Sequence, residues 1–226
     1  MRKLEVCCAD IESVMAAKKG GADRVELCSA LEAGGLTPSL GLIEAAVKLF
    51  GQNVNVLIRE RPGNYNYSQA ELDVMRRDIE ICREAGVGAV VIGALDESGN
   101  VDINAIRYLM EAAQGLEVTF HRAFDEVESP LEALEQIIGC GCHRILTSGQ
   151  KDSAYSGKEL LKELNRQSNG RILILPGAGV TYENAAEILD FTGCNEIHAS
   201  AKVHSEAKGC SQSSEKLINK IKEAIS

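Results

Sequence analysis

Short apolar runs alternate with helical patterns along the whole chain, and each run is bounded by glycine, asparagine or another turn-forming residue. The pattern predicts eight strands, at Leu4–Cys8, Arg24–Cys28, Asn53–Arg59, Ala89–Gly93, Glu117–His121, Arg144–Thr147, Arg171–Leu175 and Glu196–Ala199. It predicts helices at Ile11–Lys19, Leu40–Phe50, Ser68–Ala85, Asp102–Ala113, Pro130–Ile138, Gly157–Asn165, Tyr182–Phe191 and Glu215–Ile225. Apolar strands that alternate with helices are typical of a parallel sheet covered by helices.

Eight such units favour an α/β fold of the TIM (β/α)8 barrel type over an open doubly wound sheet. The chain has 226 residues, fewer than the ~250 typical of this barrel, so we expect short loops or one missing helix. The polar stretch Lys202–Ser214 is expected to be a flexible loop on the active face. No linker interrupts the pattern, which predicts a single domain over residues 1–226.

The alternation of side chains along a strand predicts which residues face the barrel axis. Val25 and Leu27 suit the side that faces the helices, which turns Glu26 and Cys28 inward. The same argument turns inward Glu5, Cys7, Asn55, Leu57, Arg59, Thr119, His121, Glu196 and His198. Buried charges are costly unless they are paired. The sequence therefore predicts a polar network where most barrels hold branched apolar residues.

Many of the charged residues fall at the carboxyl ends of predicted strands, where TIM barrels carry their active sites. The candidate catalytic residues are Glu26, Arg59, His121 and His198. An imidazole beside carboxylates can act as a general acid or base near neutral pH. The candidate ligand-binding side chains are Arg61, Arg122 and Asp125. Arginine donors suit a carboxylate or phosphate, so these ends predict a site for a small anion.

The turn Gly177–Gly179 after the seventh strand is a second candidate for anion binding, because many barrels hold phosphate there through backbone amides. An alternative is that the charged residues only pair to close the barrel and that His121 and His198 are hydrogen-bonded core residues. No lysine lies at a predicted strand end inside the barrel, which counts against a Schiff-base aldolase.

Charge and cysteine content restrict the partners. The net charge of −9 is spread along the chain, which argues against nucleic acid or an anionic membrane as the main partner. No apolar run approaches the ~20 residues of a membrane span, and the first twenty residues contain no uninterrupted apolar segment. We therefore expect a cytosolic protein whose eight cysteines are reduced thiols.

Eight motifs, in order, give the chain a specific resemblance. They are LEVC at 4–7, GGADRVELCSALEAGGLTPS at 20–39, PGNYNYS at 62–68, VIGALDESGNVD at 91–102, VTFHRAFDEV at 118–127, RILTSG at 144–149, ILPGAGV at 174–180 and EIHASA at 196–201. Together they closely resemble the CutC family of copper homeostasis proteins. The resemblance implies a TIM barrel, a cytoplasmic location, a homodimer or homotetramer, and Cys7 and Cys28 as ligands of Cu(I). The chain departs from the family at Glu60, where proline is usual, at Gln150, where glycine is usual, and at Cys8, where valine is commoner.

Two functions remain open at this point. Cys7 and Cys28 lie on neighbouring predicted strands, which run ~4.8 Å apart, so their thiols could meet and hold Cu(I), which soft thiolates suit better than they suit zinc. Buried cysteines are also common as small apolar residues, and we prefer that interpretation for Cys8, Cys82, Cys140, Cys142, Cys194 and Cys210. The first function is a copper-binding protein. The alternative is an enzyme that acts on a small anionic or phosphorylated substrate by acid/base chemistry.

Overall fold

Eight parallel strands form a nearly closed barrel in the computed structural model, which describes residues 2–205 and 209–226. The strands are β1 (Lys3–Cys8), β2 (Arg24–Leu27), β3 (Val54–Leu57), β4 (Ala89–Ile92), β5 (Glu117–Phe120), β6 (Arg144–Thr147), β7 (Leu173–Pro176) and β8 (Glu196–Ala199). Within the described residues, consecutive strands from β1 to β7 pair with one another and β8 pairs with β1, which leaves β7 and β8 at the two edges of the sheet. The strands β7 and β8 lie side by side at the seam, since a Cβ atom built on Gly177 would lie 3.4 Å from the His198 Cβ. The predicted TIM barrel is confirmed.

Eight α-helices follow the strands within the described part of the chain. All eight predicted helices are therefore present, and the short chain does not lack one. They are α1 (Ile11–Lys19), α2 (Leu40–Phe50), α3 (Gln69–Ala85), α4 (Ile103–Ala112), α5 (Pro130–Gly139), α6 (Lys158–Ser168), α7 (Ala185–Thr192) and α8 (Glu215–Ile225). Local chemistry sets their ends. At α3, for example, Ser68 and Glu71 form a reciprocal capping box, and Gly86 ends the helix in the left-handed conformation.

The two faces of each strand carry different chemistry, as the alternation predicts. Val25, Leu27 and Val54 are fully buried in the core between strands and helices. Cys7, Cys28, Leu57 and Val91 form a separate small apolar cluster inside the barrel. Buried charged side chains share this interior and pair with one another, among them Glu5, Arg24, Arg144 and Glu196.

The expectation of a loop at Lys202–Ser214 is wrong for most of that segment. β9 (Lys202–Ser205) and β10 (Cys210–Ser213) pair as an antiparallel hairpin, and residues 206–208 lie outside the described residues. Backbone pairing tolerates polar side chains, and Ser213 anchors the hairpin by donating its N–H to Ser13 Oγ at 3.1 Å. Of the helices described in 2–205 and 209–226, none has the length and apolar character needed to cross a bilayer.

Candidate functional site

A network of ion pairs lies at the amino-terminal end of the barrel, called here the barrel floor. Arg24, at the start of β2, donates to Glu5 at 2.5 Å and to Glu196 at 2.6 Å. Arg144, at the start of β6, donates to the same Glu196 oxygen at 3.0 Å and to Glu117 at 2.6 Å. Neither arginine was predicted from the sequence, although Arg24 lies two residues before Glu26 on the same strand and therefore faces the same side. Their charges outweigh the burial that would raise the pKa of Glu196 and lower that pKa instead.

Glu5 and His198 form a charged pair above this floor. Glu5 accepts from Arg24 and from Asn55 Nδ2 at 2.8 Å, and its second oxygen lies 2.7 Å from His198 Nδ1. Burial alone would raise the pKa of Glu5 and lower that of His198. Arg24 and His198 instead lower the pKa of Glu5, and Glu26, Cys7 and Glu5 raise that of His198. The pair is therefore a carboxylate and an imidazolium.

Glu26 faces the other side of the His198 ring. Its Oε2 lies 3.9 Å from His198 Nε2, and the carboxyl group is buried. Burial raises the pKa of Glu26 despite the nearby imidazolium. Single donor atoms of Cys7, Glu26 and His198 lie within 4.8 Å of one another, which makes these three residues a candidate metal site.

The two predicted copper ligands meet directly. Cys7 Sγ lies 3.7 Å from Cys28 Sγ, because β1 and β2 are hydrogen-bonded neighbours and both side chains face inward. Cys28 has no exposed surface, whereas Cys7 reaches a cavity at the barrel mouth. The contact with Cys28, followed by burial, raises the pKa of Cys7 well above its usual value. A metal that binds here must therefore displace a proton.

His121 occupies the end of β5 with an unusual hydrogen-bonding state. Its Nδ1 accepts from the Ala123 N–H at 3.1 Å, and its ring packs on Tyr65 with the ring centroids 4.8 Å apart. Among the described residues, the buried Nε2 has no hydrogen-bond partner. Burial and the charge of Arg59 lower the pKa of His121 to about 3. The ring is therefore neutral at physiological pH, with its proton on Nε2.

Gly93 is required beside this ring. A Cβ atom at Gly93 would lie 2.4 Å from His121 Cε1. The glycine in the motif VIGAL thus leaves room for the imidazole on the neighbouring strand.

The four candidate catalytic residues come together as expected. Glu26, Arg59, His121 and His198 line one cavity of about 240 Å³, called here the mouth cavity. A second cavity of about 490 Å³, called here the β7–β8 cavity, is lined by Gly179 and other residues that follow these two strands. Cys7 and Arg122 line both, which makes the two cavities adjacent. Whether the four residues are catalytic stays a prediction.

The predicted anion-binding arginines differ in their surroundings. The guanidinium of Arg59 donates to three backbone carbonyls, those of Ala33 and Gly35 at 3.2 Å and of Gly63 at 2.6 Å. Arg61 pairs with Glu71 and with carbonyls of its own loop, and it lines neither cavity. These contacts fasten the loops that follow β2 and β3, and they bind most of the donors that an anion would need.

Asp125 fastens the end of β6 and does not line either cavity. It accepts from Thr147 Oγ1 at 2.5 Å, from the Ser148 N–H and hydroxyl, and from the Gln150 N–H at 3.2 Å. Gln150 has a φ of 57°, in the left-handed region that glycine adopts easily. This conformation explains the usual glycine there, and the bond from Gln150 Nε2 to the Val127 carbonyl at 2.5 Å holds the side chain that replaces it.

Arg122 is the predicted arginine that both cavities expose. Its Nε donates to Asp125 at 2.8 Å and its Nη2 contacts Ser148 Oγ at 3.3 Å, while the side chain is 46% exposed. Of the two predicted glycines, Gly179 lines the β7–β8 cavity with a φ of 65°. Gly177 packs against Leu146 instead, because a Cβ atom at Gly177 would come within 2.6 Å of Leu146 Cδ1.

The fold and the mouth define a class of protein: a TIM barrel whose interior carries a thiol pair, a carboxyl group and an imidazole at its carboxyl-terminal end. The CutC family model matches residues 2–203. The chain belongs to the CutC family.

Two relatives and one solved structure illustrate the similarity. The family protein CutC of Bacteroides fragilis (strain ATCC 25285) is 49% identical over 199 residues, which are 88% of this chain and 79% of the relative. The CutC protein of Histophilus somni is 41% identical over 220 residues, 97% of this chain and 90% of the relative. The crystal structure of Streptococcus agalactiae CutC, assigned to copper homeostasis, has a TM-score of 0.84 at 34% identity and covers 88% of this chain and 99% of that one.

More distant structures share the fold alone. Thiamine phosphate pyrophosphorylase from Pyrococcus furiosus has a TM-score of 0.65 at 18% identity, and the match covers 99% of this chain and 95% of that one.

Proposed function

We propose that this protein binds Cu(I) in copper homeostasis and that Cys7 and Cys28 are the ligands. The observation that carries the proposal is the 3.7 Å separation of the two sulfur atoms inside the barrel. The assignment of the Streptococcus agalactiae relative to copper homeostasis supports the same function. Soft thiolate ligands favour Cu(I) over hard cations.

The pair has the dimensions and surroundings of a thiolate metal site. Two sulfurs that each lie about 2.3 Å from one metal ion can be at most about 4.6 Å apart, so a separation of 3.7 Å needs little movement. Leu57 and Val91 pack around the thiols and keep water away from one side. Cys7 reaches the mouth cavity, which gives an ion a path to the buried Cys28.

A second donor set shares Cys7 and competes with this assignment. Cys7, Glu26 and His198 could hold one ion with a sulfur, an oxygen and a nitrogen ligand. Such a mixed set suits zinc better than Cu(I). We assign copper to the thiol pair because Cys28 offers a second sulfur at contact distance.

Competition with a Cu(I)-specific chelator under reducing conditions tests the proposal. The wild-type protein should bind one Cu(I) per chain. Cys7→Ser and Cys28→Ser should each weaken binding by about a hundredfold or more, since even loss of an outer-shell partner costs about 10–100-fold. Cys8→Ala is the matched control, because Cys8 is a buried cysteine on β1 that packs with the helix-facing core. Equal affinities for the wild type and the Cys7→Ser/Cys28→Ser double variant would contradict the proposal.

A cytoplasmic location and a homodimeric or homotetrameric state are proposed with this function, on the basis of the family resemblance. Light scattering of the purified protein measures the oligomeric state directly.

A further inference from the structure

A buried hydrogen-bond donor in the mouth cavity lacks an acceptor. The Ala123 N–H occupies Nδ1 of His121, which leaves the ring proton on Nε2, and that atom has no partner among the described residues. An unpaired buried donor costs about 1–3 kcal/mol. The side chain is buried at the cavity wall, so its acceptor must come from a molecule that enters the cavity.

The charges around this donor favour an anion. Arg59 and Arg122 line the mouth cavity, and Glu26 is the one carboxyl group among the described residues that line it. Arg122 is the most accessible of the basic side chains, and its Nη1 has no hydrogen bond to any residue in the described ranges.

The space around these groups fits an organic molecule. The mouth cavity of about 240 Å³ adjoins the β7–β8 cavity of about 490 Å³, and Arg122 stands where both meet. Small-molecule sites typically occupy about 300–1,000 Å³. A single water molecule could satisfy His121, but it would leave the rest of this volume and the free edge of Arg122 unused.

We propose that the barrel mouth binds a small organic anion, whose carboxylate or phosphate group contacts Arg122 and whose carbonyl or hydroxyl oxygen accepts from His121 Nε2. This binding site goes beyond the proposed copper function and does not need the thiols of Cys7 and Cys28. Its ligand class follows from a neutral donor and a cationic donor that share one cavity.

Calorimetry and nitrogen-15 NMR of histidine-labelled, copper-free protein test the site in the presence of a Cu(I) chelator. The probes are pyruvate, glycolate, 3-phosphoglycerate, glycerol 3-phosphate and inorganic phosphate. At least one of the four organic anions should bind once per chain and shift the His121 Nε2 resonance saturably. It should bind more tightly than inorganic phosphate, which offers no separate oxygen for His121.

Three variants locate the binding. His121→Asn keeps an oxygen that can accept from the Ala123 N–H but has no donor at the position of Nε2, so it should weaken binding by roughly tenfold or more. Arg122→Met should weaken it to a similar degree. The matched control is His143→Asn, because His143 Nδ1 also accepts a backbone N–H, from Val118 at 3.0 Å, at the opposite end of the barrel. The control should bind as the wild type does.

The outcomes separate this proposal from the copper proposal. The Cys7→Ser/Cys28→Ser variant should lose copper and keep the anion. If none of the organic anions shifts the His121 resonance, the donor is satisfied by water and the anion site is refuted. Binding that is equal in the wild type and in His121→Asn also refutes it, whatever the copper titration shows.

Discussion

Burial lowers the pKa of His121, whereas an acidic partner would raise the pKa of a histidine. Its environment lowers the pKa to about 3, with desolvation as the largest cause and the charge of Arg59 as the second. In the unfolded chain the same ring titrates near 6.5. The two states therefore bind different numbers of protons between pH 6.5 and about 3.

This difference predicts a pH dependence of stability. Below pH 6.5 the unfolded chain gains a proton at His121 that the folded protein excludes, so the free energy of unfolding falls as pH falls, by about 1.4 kcal/mol per pH unit from this group. His121→Asn removes the contribution, and the stability difference between wild type and variant should shift in favour of the variant between pH 6.5 and 4.5. Urea unfolding across that range measures it. A difference that stays constant with pH would show that His121 is protonated in the folded protein.

Residue positions inside the barrel were predictable from the sequence, but their partners were not. Strand parity is a local property, and it places Glu26, Arg59, His121 and His198 at one cavity. The partners come from distant loops. The carbonyls that accept from Arg59 belong to Ala33, Gly35 and Gly63, and no periodicity in the sequence reveals them.

Among the elements, the short 3₁₀ helix Arg122–Glu126 is fastened to the end of β6 by one side chain. Asp125 accepts hydrogen bonds from Thr147, Ser148 and Gln150, and it pairs with Arg122. A single carboxylate thus fixes the turn after β5 against the turn after β6. It also sets the position of Arg122 at the two cavities.

Asp125→Ala should therefore destabilise the protein by about 2–4 kcal/mol, because several buried donors lose a charged acceptor at once. The matched control is Asp96→Ala. Asp96 also accepts backbone N–H groups, from Ser98 and Asn100, but it lies on an exposed turn and should cost about 1 kcal/mol or less. Chemical denaturation of both variants gives the comparison. Equal losses would mean that the Asp125 contacts contribute no more than an ordinary turn.

The sequence predicted the type of most helices and strands correctly, but it predicted their first and last residues less accurately. The apolar runs identified all eight barrel strands, but β3 ends at Leu57 rather than Arg59, because the Arg59 N–H donates to Thr37 Oγ1 at 3.0 Å instead of a neighbouring strand. The hairpin β9–β10 was missed. Its serine-rich sequence resembles a loop, and its backbone pairing carries no apolar signature.

For the whole molecule, the ion network on the barrel floor replaces the usual apolar layers. It connects β1, β2, β6 and β8 through Glu5, Arg24, Arg144 and Glu196. These side chains are almost completely buried. The removal of one charge leaves a buried charge imbalance that water cannot screen, which is the costly case.

Arg24→Met should accordingly destabilise the fold by about 3–5 kcal/mol, since the buried carboxylates of Glu5 and Glu196 each lose one of their cationic partners at once. Arg77→Met provides the surface control. Arg77 pairs with Glu80 and Glu84 on an exposed helix face, where such pairs are worth about 1 kcal/mol or less. Thermal and urea unfolding measure both. A loss at Arg24 as small as that at Arg77 would mean that the network relaxes around the methionine.

The barrel as a whole was the most predictable level, because eight repeated units and eight ordered motifs each indicate it independently. The candidate metal site was predictable only as a pair of neighbouring inward thiols. The approach of Glu26 and His198 to Cys7 depends on side-chain geometry across three strands, and that geometry decides between two kinds of metal site.

X-ray absorption at the copper K-edge of protein loaded with one Cu(I) per chain distinguishes these two sites most directly. Coordination by Cys7 and Cys28 predicts two sulfur ligands in the wild type and the loss of one sulfur in Cys28→Ser. A single sulfur with nitrogen or oxygen ligands in the wild type, and a spectrum that does not change in Cys28→Ser, would contradict the proposed thiol pair and place the metal at Cys7, Glu26 and His198.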